Sequence, residues 1–441
     1  YVPSFPSGAS GTLYSGETVY PTQITGDLTV NNGTFTGAID IRKGAKQSIL
    51  TGVDKDGNEI EYTVRSKGDL SISGGTFFFS KDSQFKMYDT NEGTLYMTGG
   101  NWYVGYDIGS DGGKGAATAG VATTVDAGGG NNLYLRGGKY DIAEGSVLKL
   151  TGWEGTMEAA SASYEFSGKG TLSVGFSNGF AIRSDVKWDD GTLNQSGILT
   201  ITKQVAVNAF KQSNQGDLNI LDGGVLSVAS DVTMDGNMTG KGTLKLTGTA
   251  NGTIGGLKEF GTIVVGEGTL TFARGNDTEK AALDYLVGAV GDGKIGTIRI
   301  DGQTYAGTVT LNNSVLKLTS ELITDVLDMG RGDIVFTKGA SGVTNGRLTL
   351  KGETTIWNDS RIITEPTPEY ADATSGVLTA KDGTVLTFAD AEGSDENTHF
   401  ESGALTVSIE SGASMVSNAK QVSFDTLKMT KGTATAEAGV L

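Results

Sequence analysis

The sequence predicts an all-β fold, a right-handed parallel β-helix (a solenoid) with a few short decorating helices and loop insertions. Two observations support this prediction: 68 of the 441 residues are Gly and only 5 are Pro, and a five-residue phrase recurs along the chain. The phrase is Gly, any residue, Leu or Ile, any residue, then an apolar residue, as in Gly26–Val30 and Gly242–Leu246. Apolar side chains at every second position are typical of a β-strand, and the glycines suit tight turns between short strands.

The spacing of the phrase favours stacked turns. Strands this short cannot bury an apolar face alone, so we expect Leu to lie over Leu and Val over Ile in successive turns. Parallel strands joined by crossovers wind right-handed, and Gly-Gly and Asn-Gly pairs suit corners with positive φ. An antiparallel β-sandwich is the main structural alternative. In the middle of the chain the first apolar residue recurs every 19 to 28 residues, at Leu172, Leu199, Leu218, Leu244, Leu270 and Ile298.

The same spacing divides the chain into three predicted segments. Residues 1–272 and 346–441 carry β-helix coils, and residues 273–345 form a less regular segment that contains two short helices. The chain starts at Tyr1 without a leader and stops within its own pattern, so we interpret it as a portion of a longer protein, truncated at the C-terminus. The first predicted helix runs through Ala281, Leu283, Leu286 and Val290, and the second through Ile323, Val326 and Leu327.

Charge and composition exclude several partners. The formal net charge of −17 repels phosphate backbones and anionic membrane surfaces, so we expect no nucleic-acid ligand. No apolar run reaches the roughly 18–20 residues that span a bilayer, so we expect no direct membrane span. The chain has no Cys, which suits a large exported protein that stays unfolded during translocation, although compositional drift explains it equally well.

Together these phrases resemble the passenger domains of autotransporter surface proteins of Gram-negative bacteria. The resemblance lies in the repeated Gly-x-Leu-x-apolar phrase, in Gly74–Phe77 and in Asn-Asn-Gly corners such as Asn31–Gly33. It implies a right-handed β-helix, export through the cell envelope, and roles in adhesion, aggregation or biofilm at the cell surface. The C-terminal barrel through which such passengers attach to the outer membrane does not occur in this sequence. Nor does the Gly-Asp-Ser-Gly motif of the protease branch.

The sequence offers few groups for catalysis, so we predict a non-enzymatic protein without cofactors. The sole His is His399, which cannot by itself support a Ser-His or zinc site in a chain without Cys. Asp189 and Asp190 are the obvious carboxylate pair for polysaccharide cleavage. Adjacent strand residues point to opposite faces, however, and Asp-Asp-Gly more often forms a turn.

Two motifs are candidates for binding. Arg331, Gly332 and Asp333 form the tripeptide that integrins recognise, either an exposed adhesion loop or a Gly-rich turn before a strand; the sequence favours the turn. An adhesion loop requires that Asp333 be exposed. Trp102 and Tyr103 either form an exposed strip that stacks on sugar rings or, more commonly, fill the core.

Three further motifs have mainly structural interpretations. If Phe77–Phe79 is a strand, Phe78 faces outward and marks a contact with a loop, a ligand or another chain. Asp54–Glu61 resembles the start of a Ca²⁺ loop, but Arg65 stands at the twelfth position, where a bidentate Glu is needed. A hairpin turn is favoured there and at Asp301-Gly302.

These observations predict an extracellular or cell-surface adhesive or self-associating stalk. Its partners would be a host or neighbouring-cell surface, a glycan or matrix, or a second copy of the chain. A structural subunit of an extracellular filament or matrix is the first alternative, because a solenoid end exposes strand edges. A polysaccharide-binding or polysaccharide-degrading β-helix is the second.

Overall fold

The computed structural model describes most of the chain from residue 94 onward and short segments before it. The early segments are residues 22–24, 28–30, 34–36, 39–41, 48–50, 61–65, 70–72, 76–80 and 82–88. From residue 94 to residue 436, the gaps are 111–112, 159–162, 274–280, 290–295, 339–344, 358–359, 391–399 and 420. The chain forms two compact units, Tyr1–Ser227 and Val228–Leu441.

The described secondary structure of the first unit consists of β-strands. These are β1 (Thr22–Ile24), β2 (Leu28–Val30), β3 (Thr34–Thr36), β4 (Ile39–Ile41), β5 (Ser48–Leu50), β6 (Glu61–Arg65), β7 (Leu70–Ile72), β8 (Thr76–Phe79), β9 (Ser83–Tyr88), β10 (Thr94–Met97), β11 (Asn101–Val104), β12 (Tyr106–Ile108), β13 (Lys114–Ala117), β14 (Ala122–Asp126), β15 (Asn132–Leu135), β16 (Gly138–Ile142), β17 (Val147–Met157), β18 (Tyr164–Ser167), β19 (Thr171–Ile182), β20 (Val186–Ile201), β21 (Gln204–Gln212), β22 (Asp217–Ile220) and β23 (Val225–Val228).

The second unit is also built of strands in its described residues. These are β24 (Asp231–Leu246), β25 (Asn251–Val265), β26 (Thr269–Phe272), β27 (Ala281–Gly288), β28 (Thr297–Ile300), β29 (Thr304–Thr310), β30 (Val315–Leu318), β31 (Glu321–Asp328), β32 (Asp333–Phe336), β33 (Arg347–Leu350), β34 (Thr354–Trp357), β35 (Arg361–Ile363), β36 (Gly376–Ala380), β37 (Val385–Ala389), β38 (Phe400–Ile409), β39 (Ser414–Ser417), β40 (Val422–Met429) and β41 (Thr433–Ala436).

Parallel pairing between successive turns makes each unit a β-solenoid, so the predicted stacking of strands is confirmed. In the first unit, β20 shows how one strand passes over three faces of a turn. Its residues 186–188 pair with β21, residues 192–195 pair with β19 and residues 198–201 pair with β22. The hairpin formed by β12 and β13 is antiparallel and stands apart from this pattern.

Inward side chains form continuous stacks in the first unit. Leu148, Leu172 and Leu193 lie over one another in consecutive turns and are buried. Burying one such side chain contributes about 1.5–3 kcal/mol of hydrophobic stabilisation. A second stack is aromatic and begins with Phe77 on Trp102, whose ring centroids are 4.3 Å apart. It continues through Tyr140, Phe166 and Trp188.

The second unit repeats this arrangement with a regular aliphatic stack. Leu270, Ile298, Leu316 and Ile334 pair in register on β26, β28, β30 and β32, and all four are fully buried. Corner residues with positive φ occur in this unit, and they include an Asn-Asn pair that the sequence analysis did not single out. Asn312 and Asn313 have φ angles of 43° and 62°, values that Asn tolerates better than most residues.

The predicted rows of leucines are only partly correct. Leu199 stacks on Leu218 as expected, but Leu172 pairs with Leu193, and Leu199 pairs with Phe180. The interval from Leu172 to Leu199 therefore links two different faces of the solenoid. Because the phrase recurs on more than one face of a turn, the spacing of its leucines does not show which face each leucine occupies.

The two predicted helices are wrong, because their residues lie in β27 and β31. Leu283 and Leu286 are both buried, three residues apart, but they pair with different parts of β29 on two faces. A strand that bends around a corner thus places buried residues at a helix-like interval. The described residues of 273–345 continue the parallel pairing, and Val290 lies outside the described residues.

The expected hairpin at Asp301-Gly302 is also wrong. The strands before and after it, β28 and β29, pair with strands of neighbouring turns and not with each other. Asp301-Gly302 is therefore a corner of the solenoid. The Ca²⁺-loop-like segment Asp54–Glu61 falls mainly outside the described residues.

Candidate binding groove

A groove of about 330 Å³ lies on the outer face of the first unit. Its walls come from β17, β19 and β20 and from the residue after β22, so it crosses four consecutive turns. The groove is lined by Glu154, Gly155, Asn178, Gly179, Phe180, Ala181, Arg183, Ile198, Thr200, Thr202 and Leu221.

Small residues at paired positions on neighbouring strands create the groove. Gly179 pairs with Glu154 of the preceding turn, and Ala181 pairs with Thr200 of the following turn. Gly179 has a φ of 110°, and a Cβ atom there would lie 3.3 Å from the Cβ atom of Ile198. Any larger residue at this position would be strained and would fill the groove.

Two of the three most exposed large apolar side chains in the described part of the first unit line this groove. Ile198 and Leu221 line it and are 41% and 40% exposed. The third, Trp153, is 44% exposed and directly precedes Glu154, but it does not line the groove. Within the described part of this unit, no other large apolar side chain is so exposed. A cluster of this kind marks a contact surface more often than scattered apolar residues do.

The polar groups of the groove include one acid and one base. The Nδ2 atom of Asn178 donates to the Glu154 carboxylate at 3.4 Å. The Arg183 guanidinium has no ion pair or side-chain hydrogen bond within the described part of the chain, although it lines the groove. One carboxylate and one unpaired guanidinium thus face the groove beside the hydroxyls of Thr200 and Thr202.

A tyrosine–arginine platform continues the same outer face. Tyr96 and Tyr134 pair in register, and their rings stack with centroids 5.6 Å apart. The Arg136 guanidinium lies 4.3 Å from the centre of the Tyr96 ring, and its Nε atom donates to Glu158 at 2.6 Å. Burial and, next, the Glu154 carboxylate raise the pKa of Tyr134, so the platform and the groove share one electrostatic environment.

The Arg331-Gly332-Asp333 tripeptide is a corner in which Arg331 is exposed but Gly332 and Asp333 are buried, and it is not an exposed adhesion loop. Asp333 is only 7% exposed. Its carboxylate accepts hydrogen bonds from Nε and Nη2 of Arg361 and, at 2.8 Å, from the hydroxyl of Tyr370. The turn favoured by the sequence is therefore correct, and the adhesion-loop hypothesis fails because its carboxylate is already bound inside the fold.

The exposed-strip hypothesis for Trp102 is likewise wrong. Trp102 is fully buried in the aromatic stack of the core. Tyr103 points outward on the same strand and stacks on Phe78 with ring centroids 5.0 Å apart. Phe78 points outward but is only 3% exposed, and the contact that it marks is the stack on Tyr103 of the next turn.

The polar side chains beside Tyr103 bind one another. The Tyr106 hydroxyl donates to Oδ1 of Asp141 at 2.9 Å, and the Lys114 ammonium binds Oδ2 of Asp141 at 2.6 Å. Lys114 also lies 4.5 Å from the centre of the Tyr106 ring. Burial and the Asp141 hydrogen bond raise the pKa of Tyr106. These contacts fasten the β12–β13 hairpin to the solenoid.

The remaining candidate catalytic residues do not come together in the described part of the chain. Asp189 and Asp190 are both exposed where β20 bends, and Asp189 forms an ion pair with Lys187 at 3.1 Å. His399 lies outside the described residues. Among the residues that the structure describes, no three His, Cys, Asp or Glu side chains are grouped to hold a metal ion.

The groove residues were not singled out by the sequence. Glu154 follows an irregularity in the register of its strand, so sequence spacing does not show which face it occupies. The described residues include no helix that is long and apolar enough to cross a membrane.

Comparison with protein-family models, curated proteins and solved structures finds no match for this chain.

Proposed function

We propose that this chain is a non-enzymatic adhesive or self-associating β-solenoid that acts outside the cell, in the manner of an autotransporter passenger domain. The observation that carries the proposal is the outer groove of the first unit, where the exposed side chains of Ile198 and Leu221 lie beside an acid and an unpaired base. Such a surface suits binding, and its position on an outer face leaves the stacked core undisturbed.

The mechanism is contact between exposed side chains and the surface of another cell, a matrix or a second copy. Each contact is weak, but many copies displayed on one surface act together and raise the effective concentration of the others. The groove supplies the specific part of this contact, and the polar outer rows of Thr, Ser and Asn supply the less specific part.

Adhesion of protein-coated beads tests the proposal. Beads that carry the chain are expected to bind bacterial or epithelial cells, or one another, and uncoated beads are not. Ala181→Trp places an indole in the groove and is expected to reduce this binding strongly. Ser173→Trp is the matched control, because Ser173 points outward from another face of the same strand. Equal adhesion of both variants would exclude the groove from the function.

A further inference from the structure

The groove offers the two kinds of contact that a sugar ring requires. A pyranose ring has apolar C–H faces and a rim of hydroxyl groups. Ile198 and Leu221 line the groove and present exposed apolar surface there. The Glu154 carboxylate accepts and the Arg183 guanidinium donates hydrogen bonds, and such charge-assisted bonds are about twice as strong as neutral ones.

The dimensions of the groove suit a chain of sugars. The lining residues Glu154, Ala181, Thr200 and Leu221 come from four consecutive turns. Neighbouring parallel strands lie about 4.8 Å apart, so the groove extends for roughly 14 Å across the turns. A sugar ring is about as long as one interval between turns, so three or four rings fit along the groove.

The charges of the groove favour an uncharged ligand. Glu154 and Arg183 balance each other at the groove, and the nearby Arg136 and Glu158 already form an ion pair. The chain as a whole has a net charge of −17, which repels polyanions at long range. A neutral polysaccharide avoids this repulsion and still uses both charged groups as hydrogen-bonding partners.

We propose that the groove binds a neutral polysaccharide, laid across the turns with about one sugar ring per turn. This inference rests on the proposed adhesive function and names the partner of the same groove. Ile198 and Leu221 provide the apolar surface. Glu154 and Arg183 hold hydroxyl groups, and Gly179 and Ala181 keep the floor low enough for the ring.

Calorimetric titration of the full chain with defined polysaccharides tests this inference. The probes are a neutral β-glucan, a neutral mannan and, as the acidic comparison, polygalacturonate. At least one neutral polymer is expected to bind, with little change between low and high salt, because screening acts on charged ligands. Affinity for its oligosaccharides is expected to rise up to about four sugars and then to level off.

Variants locate the binding in the groove. Ala181→Trp is expected to abolish binding and Ser173→Trp to leave it unchanged. Leu221→Ala is expected to weaken binding about tenfold, the effect of losing one apolar contact. Circular dichroism and the urea midpoint of each variant show whether the fold is intact, and Leu221→Ala tests the inference should Ala181→Trp fail to fold.

The outcomes separate this inference from the proposed function. If only polygalacturonate binds, and its affinity falls steeply as salt is added, the proposal of a neutral ligand is wrong. If no polysaccharide binds while Ala181→Trp still abolishes bead adhesion, the groove contacts a protein and only the saccharide inference fails. If neither polysaccharide nor any cell binds, both proposals fail.

Discussion

Asp333 and Arg361 occupy paired positions on β32 and β35, and the guanidinium holds the buried carboxylate with two hydrogen bonds. The hydroxyl of Tyr370 adds a third. The segment after β35 thereby folds back over the outer face of β32, where Val335, Ile363 and Tyr370 pack together. This explains why all four residues of β32 are buried, including the two that point away from the core.

Asp333→Ala is expected to lower the free energy of unfolding by about 1–3 kcal/mol, because Arg361 and Tyr370 both lose a hydrogen-bond acceptor. Urea unfolding followed by circular dichroism measures the change. Glu369→Ala is the matched control, since Glu369 binds the same arginine at the surface and an exposed pair contributes at most about 1 kcal/mol. Equal losses in the two variants would contradict the structural role of Asp333.

Trp102 and Trp153, two of the three tryptophans of the first unit, should respond to truncation with losses of stability of very different size. Trp102→Ala is expected to cost about 3–5 kcal/mol, because it removes a fully buried ring from the aromatic stack. Trp153→Ala is expected to cost only about 1 kcal/mol, because its side chain is already 44% exposed. Thermal and urea unfolding of both variants check this, and a large loss in Trp153→Ala would argue that its ring is part of the core.

Tyr305 should make stability depend on alkaline pH. Its hydrogen bond to Asp325 and its burial raise the pKa of this phenol from 10.0 to about 12. The unfolded chain therefore loses this proton first as the pH rises. The contribution of Tyr305 is fully present below pH 10.0 and is lost as the pH approaches about 12.

Tyr305→Phe is expected to reduce the steepness of this alkaline loss, measured as the urea midpoint at a series of pH values. When phenolate absorbance is followed as the pH rises, the variant should lack one late step, which is a deprotonation above pH 10.0. An unchanged late step, or the loss of a step near pH 10.0, would show that Tyr305 is not the group concerned.

Two glycines test the packing at corners. Gly191 lies where β20 bends, and a Cβ atom there would come within 1.8 Å of the Trp188 ring. Gly191→Ala is therefore expected to destabilise the chain by about 1–3 kcal/mol through overpacking. Gly129 is the control, since a Cβ atom there meets no atom within 4 Å, and Gly129→Ala should be neutral or slightly stabilising. Similar losses in both variants would refute the packing argument.

The sequence predicted the solenoid because alternating apolar residues between glycines reflect a local property of each strand. Assignment of residues to faces depends on where a strand bends, and the sequence marks those bends only weakly. Leu283 and Leu286 therefore resembled one side of a helix, although they occupy two faces of β27. Gly179 shows the same limit for the groove, because its importance depends on Ile198 in the next turn.

The charged motifs were harder to interpret than the apolar pattern. Arg331 and Asp333 are two residues apart, and nothing local shows that Arg361, 28 residues beyond Asp333, binds the carboxylate. From the sequence alone, we could say only that an adhesion loop requires an exposed Asp333. For Trp102, the aromatic neighbours belong to other turns, so its burial became evident only from the stacked strands.

The regular stack of Ile298, Leu316 and Ile334 has a consequence for the length of the chain. These residues are 18 positions apart in each step, and Thr304 and Leu322 of the neighbouring face show the same interval. Excision of residues 299–316 would join Ile298 to Lys317. Ile298 would then take the place of Leu316 beneath Ile334, and no later side chain would move to another face. Genes for such chains can therefore lengthen or shorten by whole turns.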